Sequence, residues 1–294
     1  MTVINTNTAA SITANALTKN ERAMSQAMER LSTGQRINSA SDDAAGLAIS
    51  SKMTSQVNGL NMAVRNANDA ISLLQTADGA IASISDMLQR MRELAVQADN
   101  GTNSTTDLTA LDTEFEALTT EIERIADDTE WNGMSLLDQE SNSGVFSFQV
   151  GANASQAISI TIKGFETTAG GQTNGVFENL GSATVYTDNA ADLDALDIAS
   201  ASNHATAITN LSNAITRVDA QRASIGSTIN QLEYAADNLS NVSQNTSASR
   251  SRILDADYAS ETTELARTQI IQQAATAMLS QANQQAQTVL ALLK

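Results

Sequence analysis

The sequence predicts a mainly α-helical protein: a long antiparallel helical coiled-coil bundle with a small β-hairpin and a short variable insert, its N- and C-terminal helices paired. Three observations lead there. The 294 residues include no proline, where average usage of about 5% would supply roughly fifteen. Proline removes a backbone donor and clashes with the preceding turn, so its absence favours long unbroken helices. Over most of the chain apolar side chains recur at alternating steps of three and four, the period of a helix that packs against another helix. Finally, six of the nine aromatic residues fall within 131–186, where that helical grammar is interrupted.

Taken in order, Ala10, Ala14, Leu17, Glu21, Met24, Met28 and Leu31 form the first stripe, broken only by Glu21. Gly34 offers a helix stop, and Ser41-Asp42-Asp43 offers caps for a second helix. That helix carries Val57, Leu60, Val64, Ala67, Ile71, Leu74, Ala77, Ile81, Ile84, Leu88, Met91, Ala95 and Ala98, with a phase slip at Leu74–Ala77–Ile81. As one element, residues 42–98 would span about 85 Å, and Asn100-Gly101 ends them. Leu108, Leu111, Phe115, Leu118, Ile122 and Ile125 mark a third helix.

The pattern then changes. Residues 144–181 hold seven of the fourteen glycines. Phe146, Phe148 and Val150 alternate with Ser147 and Gln149, and Ile158, Ile160 and Ile162 alternate with Ser159 and Thr161. Period-two alternation on both sides of GANASQA predicts a β-hairpin. Residues 164–200, rich in Gly, Thr, Asn and Asp, read as a small exposed insertion. Helical spacing returns with Ile208, Leu211, Ile215, Val218, Arg222, Ile225, Ile229, Leu232, Ala236 and Leu239. Arg222, the one polar residue on that stripe, is expected to be partly buried and to reach a carboxylate. The last helix carries Ile271, Ala275, Met278, Ala282, Val289 and Leu293, and Arg267 is the only charge between Leu265 and Leu293. Five segments result: 1–41, an N-terminal helix; 42–163, two helices and the hairpin; 164–204, the insert; 205–250, a long helix; and 251–294, a C-terminal helix.

Charge and chemistry narrow the function. The net charge of −17 is concentrated in the middle, where 42–249 carries 8 basic and 27 acidic residues. Residues 1–41 carry four basic and two acidic, and 250–294 carry four of each. An acidic centre argues against nucleic-acid binding, which needs a basic footprint. With no Cys and one His, a Cys/His zinc site is excluded, and a Ser-His-Asp arrangement would have to use His204. His204 sits in a polar stretch and reads as a surface residue. No cofactor is expected. The start lacks a charged segment followed by an apolar core, so it is not a cleavable secretory signal. No run approaches about 20 apolar residues, so no membrane span is expected.

The terminal stripes are weakly apolar, with Ala and Met at many positions. A helix pair burying mostly Ala gains little at roughly 25 cal/mol per Å², while ordering each residue costs about 1–2 kcal/mol. The ends are therefore expected to be marginal alone and to fold on assembly with other copies. An ordinary intramolecular coiled coil fits the same periodicity.

The segment ERLSTGQRINSASDDAAGLAISSKM at 29–53 resembles the N-terminal conserved region of bacterial flagellins, as do RNANDAISLLQTADGA at 65–80 and LQRMRELAVQ at 88–97. WNGMSLLD at 131–138 and FQVGANASQAISI at 148–160 are similar to the next conserved elements of that family, and 251–293 to its C-terminal signature. The matches run in the family's order and cover roughly 1–162 and 205–294. This resemblance implies a short-form subunit of the flagellar filament without large outer domains, a structural protein of motility and not an enzyme. It implies terminal helices in the filament's inner core, with Leu17, Met24, Met28, Leu31, Ile271, Met278, Val289 and Leu293 on their polymerising stripes. It also implies secretion through the flagellar channel behind an uncleaved signal. The implied partners are further copies of the chain, an export chaperone at the C-terminal helix, filament cap and hook-junction proteins, and the host Toll-like receptor 5. Positions matching the receptor-recognised helix are Leu88, Gln89, Arg90, Leu94 and Gln97, with Glu114 on the neighbouring helix. Leu88 lies on the apolar stripe and is expected in the core; Gln89, Arg90 and Glu114 lie off it and are expected on a solvated face also used in subunit packing. The family's usual proline is missing from QANQQAQTVL at 281–290, so the last helix should be less interrupted. A hook–filament junction protein, or a secreted coiled-coil adhesin or effector, are the competing readings.

Overall fold

A computed structural model describes residues 7–138, 144–165, 176, 177, 196, 198, 199 and 203–291, with side chains as far as residue 284. Most of the expected insert, the Val289 side chain and Leu293 lie outside the described residues. The elements are α1 (Thr8–Thr33), α2 (Ala44–Ala98), α3 (Thr105–Asp128), β1 (Glu130–Trp131), β2 (Met134–Ser135), β3 (Val145–Gln149), β4 (Ala157–Thr161), α4 (His204–Leu254) and α5 (Tyr258–Ala291). Among the described residues the fold is thus mainly helical, with two small antiparallel hairpins, β1–β2 and β3–β4.

Local chemistry sets the helix ends. Asn7 caps α1 by accepting from Ala10 N–H at 3.0 Å. Gly34 closes it in the left-handed region at φ 71°, donating its N–H to Arg30, a conformation that costs glycine no Cβ clash. Asp43 accepts from Gly46 N–H at 2.8 Å and starts α2. Asp42 stays outside the helix and gathers the loop instead, accepting from the N–H groups of Asn38 and Ser39 at 3.2 and 3.0 Å. A full capping box of Ser104 and Asp107 opens α3. Between β1 and β2, Asn132 and Gly133 both hold positive φ, 52° and 75°, as a two-residue type I′ turn requires.

The chain forms two compact units, Met1–Asn58 with Ser243–Lys294, and Gly59–Val242. Their borders fall inside α2 and α4, whereas charge and helix breaks divide the sequence near 41 and 250. The physical reason lies in the first unit. Arg36 N–H donates to the Leu254 carbonyl at 2.7 Å and Ala256 N–H to the Gly34 carbonyl at 2.9 Å. Arg250 donates to Thr54 at 3.3 Å. The start of α2 and the end of α4 therefore belong with the terminal helices.

In the second unit, Ile81, Ile84, Leu88, Met91 and Leu94 of α2 enclose one core with Phe115 and Ile122 of α3 and Leu211, Val218, Ile225 and Leu232 of α4. Leu73 and Leu74 are both buried, where the phase slip brings neighbouring residues onto the packed face. The antiparallel course of α2 and α4 is fixed by Arg222 to Asp78 at 3.0 Å and Arg92 to Ser212 at 3.1 Å. Arg222 thus reaches a carboxylate as expected. The β3–β4 hairpin pairs Phe146 with Ile160 and Phe148 with Ile158. It is tied down by Gln221, which donates to the Thr161 carbonyl at 3.1 Å, and by Asn66, which donates to that of Gln149 at 3.2 Å.

His204 corrects an expectation. It is 3% exposed, not at the surface. Its Nε2 lies 2.9 Å from the Ile198 carbonyl and its Nδ1 lies 3.6 Å from Asp99. A polar neighbourhood in sequence did not reveal that the Ile198 carbonyl and Asp99 meet this ring.

Candidate assembly surface and recognition face

In the first unit, α1 and α5 lie antiparallel. From the base outward, Arg30 meets Glu261 at 3.1 Å, Asn20 donates to the Thr268 carbonyl at 2.7 Å, and Asn7 donates to that of Ala282 at 3.2 Å. The residues withdrawn from solvent along the middle of the seam are Thr13, Leu17, Asn20, Met24, Ala27 and Leu31 on α1 and Glu261, Leu265, Thr268, Gln272, Ala275, Leu279 and Ala282 on α5, flanked by Ala10, Ala23 and Arg30 on α1 and by Glu264 on α5. Both rows step by three and four, as a coiled-coil seam does.

This seam is not the stripe that apolar spacing selects. On α1 it keeps Ala10, Leu17, Met24 and Leu31 but takes Thr13, Asn20 and Ala27 in place of Ala14, Glu21 and Met28. On α5 it keeps Ala275 and Ala282, while Ile271 and Met278 face outward. Polar pairing accompanies this rotation: Asn20 is only 8% exposed and Thr268 2%, and the buried Asn20 amide finds the partner it needs in the Thr268 carbonyl.

The outward faces are left apolar. Ile12 and Met28 on α1, and Ile270, Ile271 and Met278 on α5, are exposed, Ile270 by 67% and Met278 by 59%. From Thr268 to Ala291 the helix bears no charged residue. A solvent-facing helix surface ordinarily carries charge, so this face has the character of a contact surface. Ile12 and Ile270 were missed by the sequence reading. The adjacent pair Ile270-Ile271 was the available signal, since neighbours 100° apart on a helix cannot both centre on one seam.

On the second unit, the six positions matched to receptor recognition divide in two. Leu88 and Leu94 are buried in the core and present no surface to a partner. Gln89, Arg90, Gln97 and Glu114 are exposed. Arg90 brings two helices together: its Nε and one terminal nitrogen donate to Glu114 at 3.0 and 2.9 Å, and the other donates to Glu93 at 3.1 Å. These bonds, Glu114 first, hold its guanidinium above the ordinary arginine range. Gln97 lies at the end of α2, where its carbonyl accepts from Asn103 at 2.6 Å. Among the described residues no cluster of metal-ligating side chains occurs, and no helix is long and apolar enough to cross a membrane.

The bacterial flagellin N-terminal helical region matches residues 4–142, and the bacterial flagellin C-terminal helical region matches 208–293. The chain is 44% identical to a flagellin of Bacillus subtilis over 308 aligned residues, covering 99% of each. It is also 44% identical to a flagellin of Halalkalibacterium halodurans, over 92% of this chain and 91% of that one. A solved structure from Vibrio parahaemolyticus, described as a flagellar hook-associated protein, aligns over 73% of this chain and 100% of its own with a TM-score of 0.56. At 14% identity that likeness is one of fold alone. Two family regions in order and near-full-length relatives favour the filament subunit over a hook–filament junction protein or an unrelated coiled-coil adhesin: the chain belongs to the bacterial flagellin family, the structural subunits of flagellar filaments.

Proposed function

We propose that this chain polymerises through its paired terminal helices, whose outward apolar faces are covered by neighbouring copies, and that the pair is completed on assembly. The observation that carries this reading is the uncharged outer face of α5 with Ile270, Ile271 and Met278 in water. Burying such side chains contributes about 1.5–3 kcal/mol each, a gain the lone pair forgoes and a polymer recovers at every subunit. The acidic middle of the chain keeps the polymer soluble.

Export unfolded through the flagellar channel, without cleavage, accords with a chain of no Cys. In this reading the export chaperone covers the C-terminal helix before assembly, and the filament cap and hook-junction proteins meet the same ends. Host Toll-like receptor 5 engages the face bearing Gln89, Arg90, Gln97 and Glu114, with Leu88 and Leu94 supporting it from within. The protein works as a building unit and is assigned no catalytic step. Deleting residues 265–294 tests the assembly reading: electron microscopy after seeding should show no filaments, while circular dichroism keeps the helical signal of Gly59–Val242. Ordinary filaments from that truncation would refute it.

A further inference from the structure

The terminal pair is built on the more polar of its two available seams. If α1 and α5 maximised their own burial, Met28, Ile271 and Met278 would turn inward. Instead they are 48%, 40% and 59% exposed. The two settings differ by roughly 50°, half the angle between successive residues. The inward positions are held by Asn20 against the Thr268 carbonyl and by Arg30 against Glu261. The ion pair is largely enclosed, with Arg30 25% and Glu261 13% exposed, and Arg30 Nε is buried without a partner among the described residues. An enclosed pair with an unmet donor is a poor source of stability against an apolar replacement, yet it is directional and tolerates one geometry. A polar residue in a coiled-coil seam selects one arrangement at a cost in stability.

Resting on the filament reading above, we propose that Asn20 and Arg30, with Thr268 and Glu261, are positioning residues that set the rotation of the terminal helices. They hold the polar seam inside, so that the apolar row of Ile271 and Met278 stays outside for the next copy. Without them the monomer satisfies its own apolar surface and closes the face through which it polymerises.

The chain has no Cys, so single cysteines report rotation cleanly. Full-length protein with N20L, R30M and E261M together is compared with wild type, each carrying either Ile271→Cys or Leu279→Cys, by maleimide alkylation of the monomer. In the triple variant the cysteine at 271 should be protected at least about tenfold relative to the wild-type background, and the one at 279, withdrawn from solvent in the wild-type pairing, should become more reactive as the helix turns. Without cysteines, the triple variant should also lose about tenfold or more in assembly affinity. Unchanged reactivity at 271, or wild-type assembly by the triple variant, overturns the proposal. The exchanged pair R30E with E261R keeps an inward ion pair and should assemble where R30E alone does not; failure of that rescue also overturns it. Absence of filaments from the wild-type chain would instead refute the filament reading itself.

Discussion

Replacing Leu88 with Ala separates packing from recognition on α2. The side chain is fully buried among α2, α3 and α4. Three carbons leave the core at about 0.8 kcal/mol each, and the residual cavity adds to that, giving about 2.7–5 kcal/mol in all. In a unit of this size each kcal/mol moves the midpoint by about 2–4 °C, so a fall of roughly 5–20 °C is expected. Urea and thermal unfolding followed by circular dichroism measure it, and an unchanged urea slope would show that stability alone changed. Arg90→Ala is the counterpart. Its ion pairs are exposed, at 49% for Arg90 and 46% for Glu114, so the midpoint should stay near wild type while activation of Toll-like receptor 5 falls. Leu88→Ala below its own melting temperature should keep most of that activation. A destabilisation under about 1 kcal/mol for Leu88→Ala would refute the sealed core. Unchanged receptor signalling by Arg90→Ala would remove that side chain from the recognition face.

Three further outcomes follow from named contacts. Arg222 and Asp78 are each more than a third exposed, so solvent screening limits their coupling to about 0.2–1 kcal/mol in a double-mutant cycle; a value several-fold larger would place the pair in a much drier environment. Ser104→Ala removes the N-cap half of the α3 capping box and should destabilise by about 1 kcal/mol in the same melts, with no loss indicating that water caps the helix equally well. The Asp42 carboxyl is held below its ordinary value, first by the N–H of Ser39 and then by that of Asn38. A lowered folded value means the stabilisation is present above the ordinary carboxylate range and is lost as pH falls through the folded value. The difference in thermal midpoint between wild type and Asp42→Asn should therefore be full at neutral pH and vanish on strong acidification; a difference that persists there would mean the loop is held by something other than charge.

Much of the fold was written in spacing. The helices, the phase slip near Leu74, the hairpin alternation of Phe146, Phe148, Ile158 and Ile160, and the carboxylate sought by Arg222 all follow from neighbours along the chain, because helix and strand periods are properties of the backbone. The turn at Asn132-Gly133 had its signal in plain view, but two-residue strands are too short for alternation to show. His204 was misplaced because nothing near it in sequence states that Ile198 and Asp99 converge on its ring.

Spacing and composition alone establish that both ends are helical, weakly apolar and suited to a partner, and the motifs point to the family. They do not determine which side of each terminal helix meets the other. Apolar counting selected Met28, Ile271 and Met278 for the seam, because a periodicity scores each helix alone. The tertiary structure decided otherwise, through bonds between residues some 230 to 250 positions apart: Arg30 with Glu261 and Asn20 with Thr268. A hydrogen-bonding requirement fixes direction where hydrophobic burial is indifferent to it, and that choice leaves the apolar row free for the next subunit.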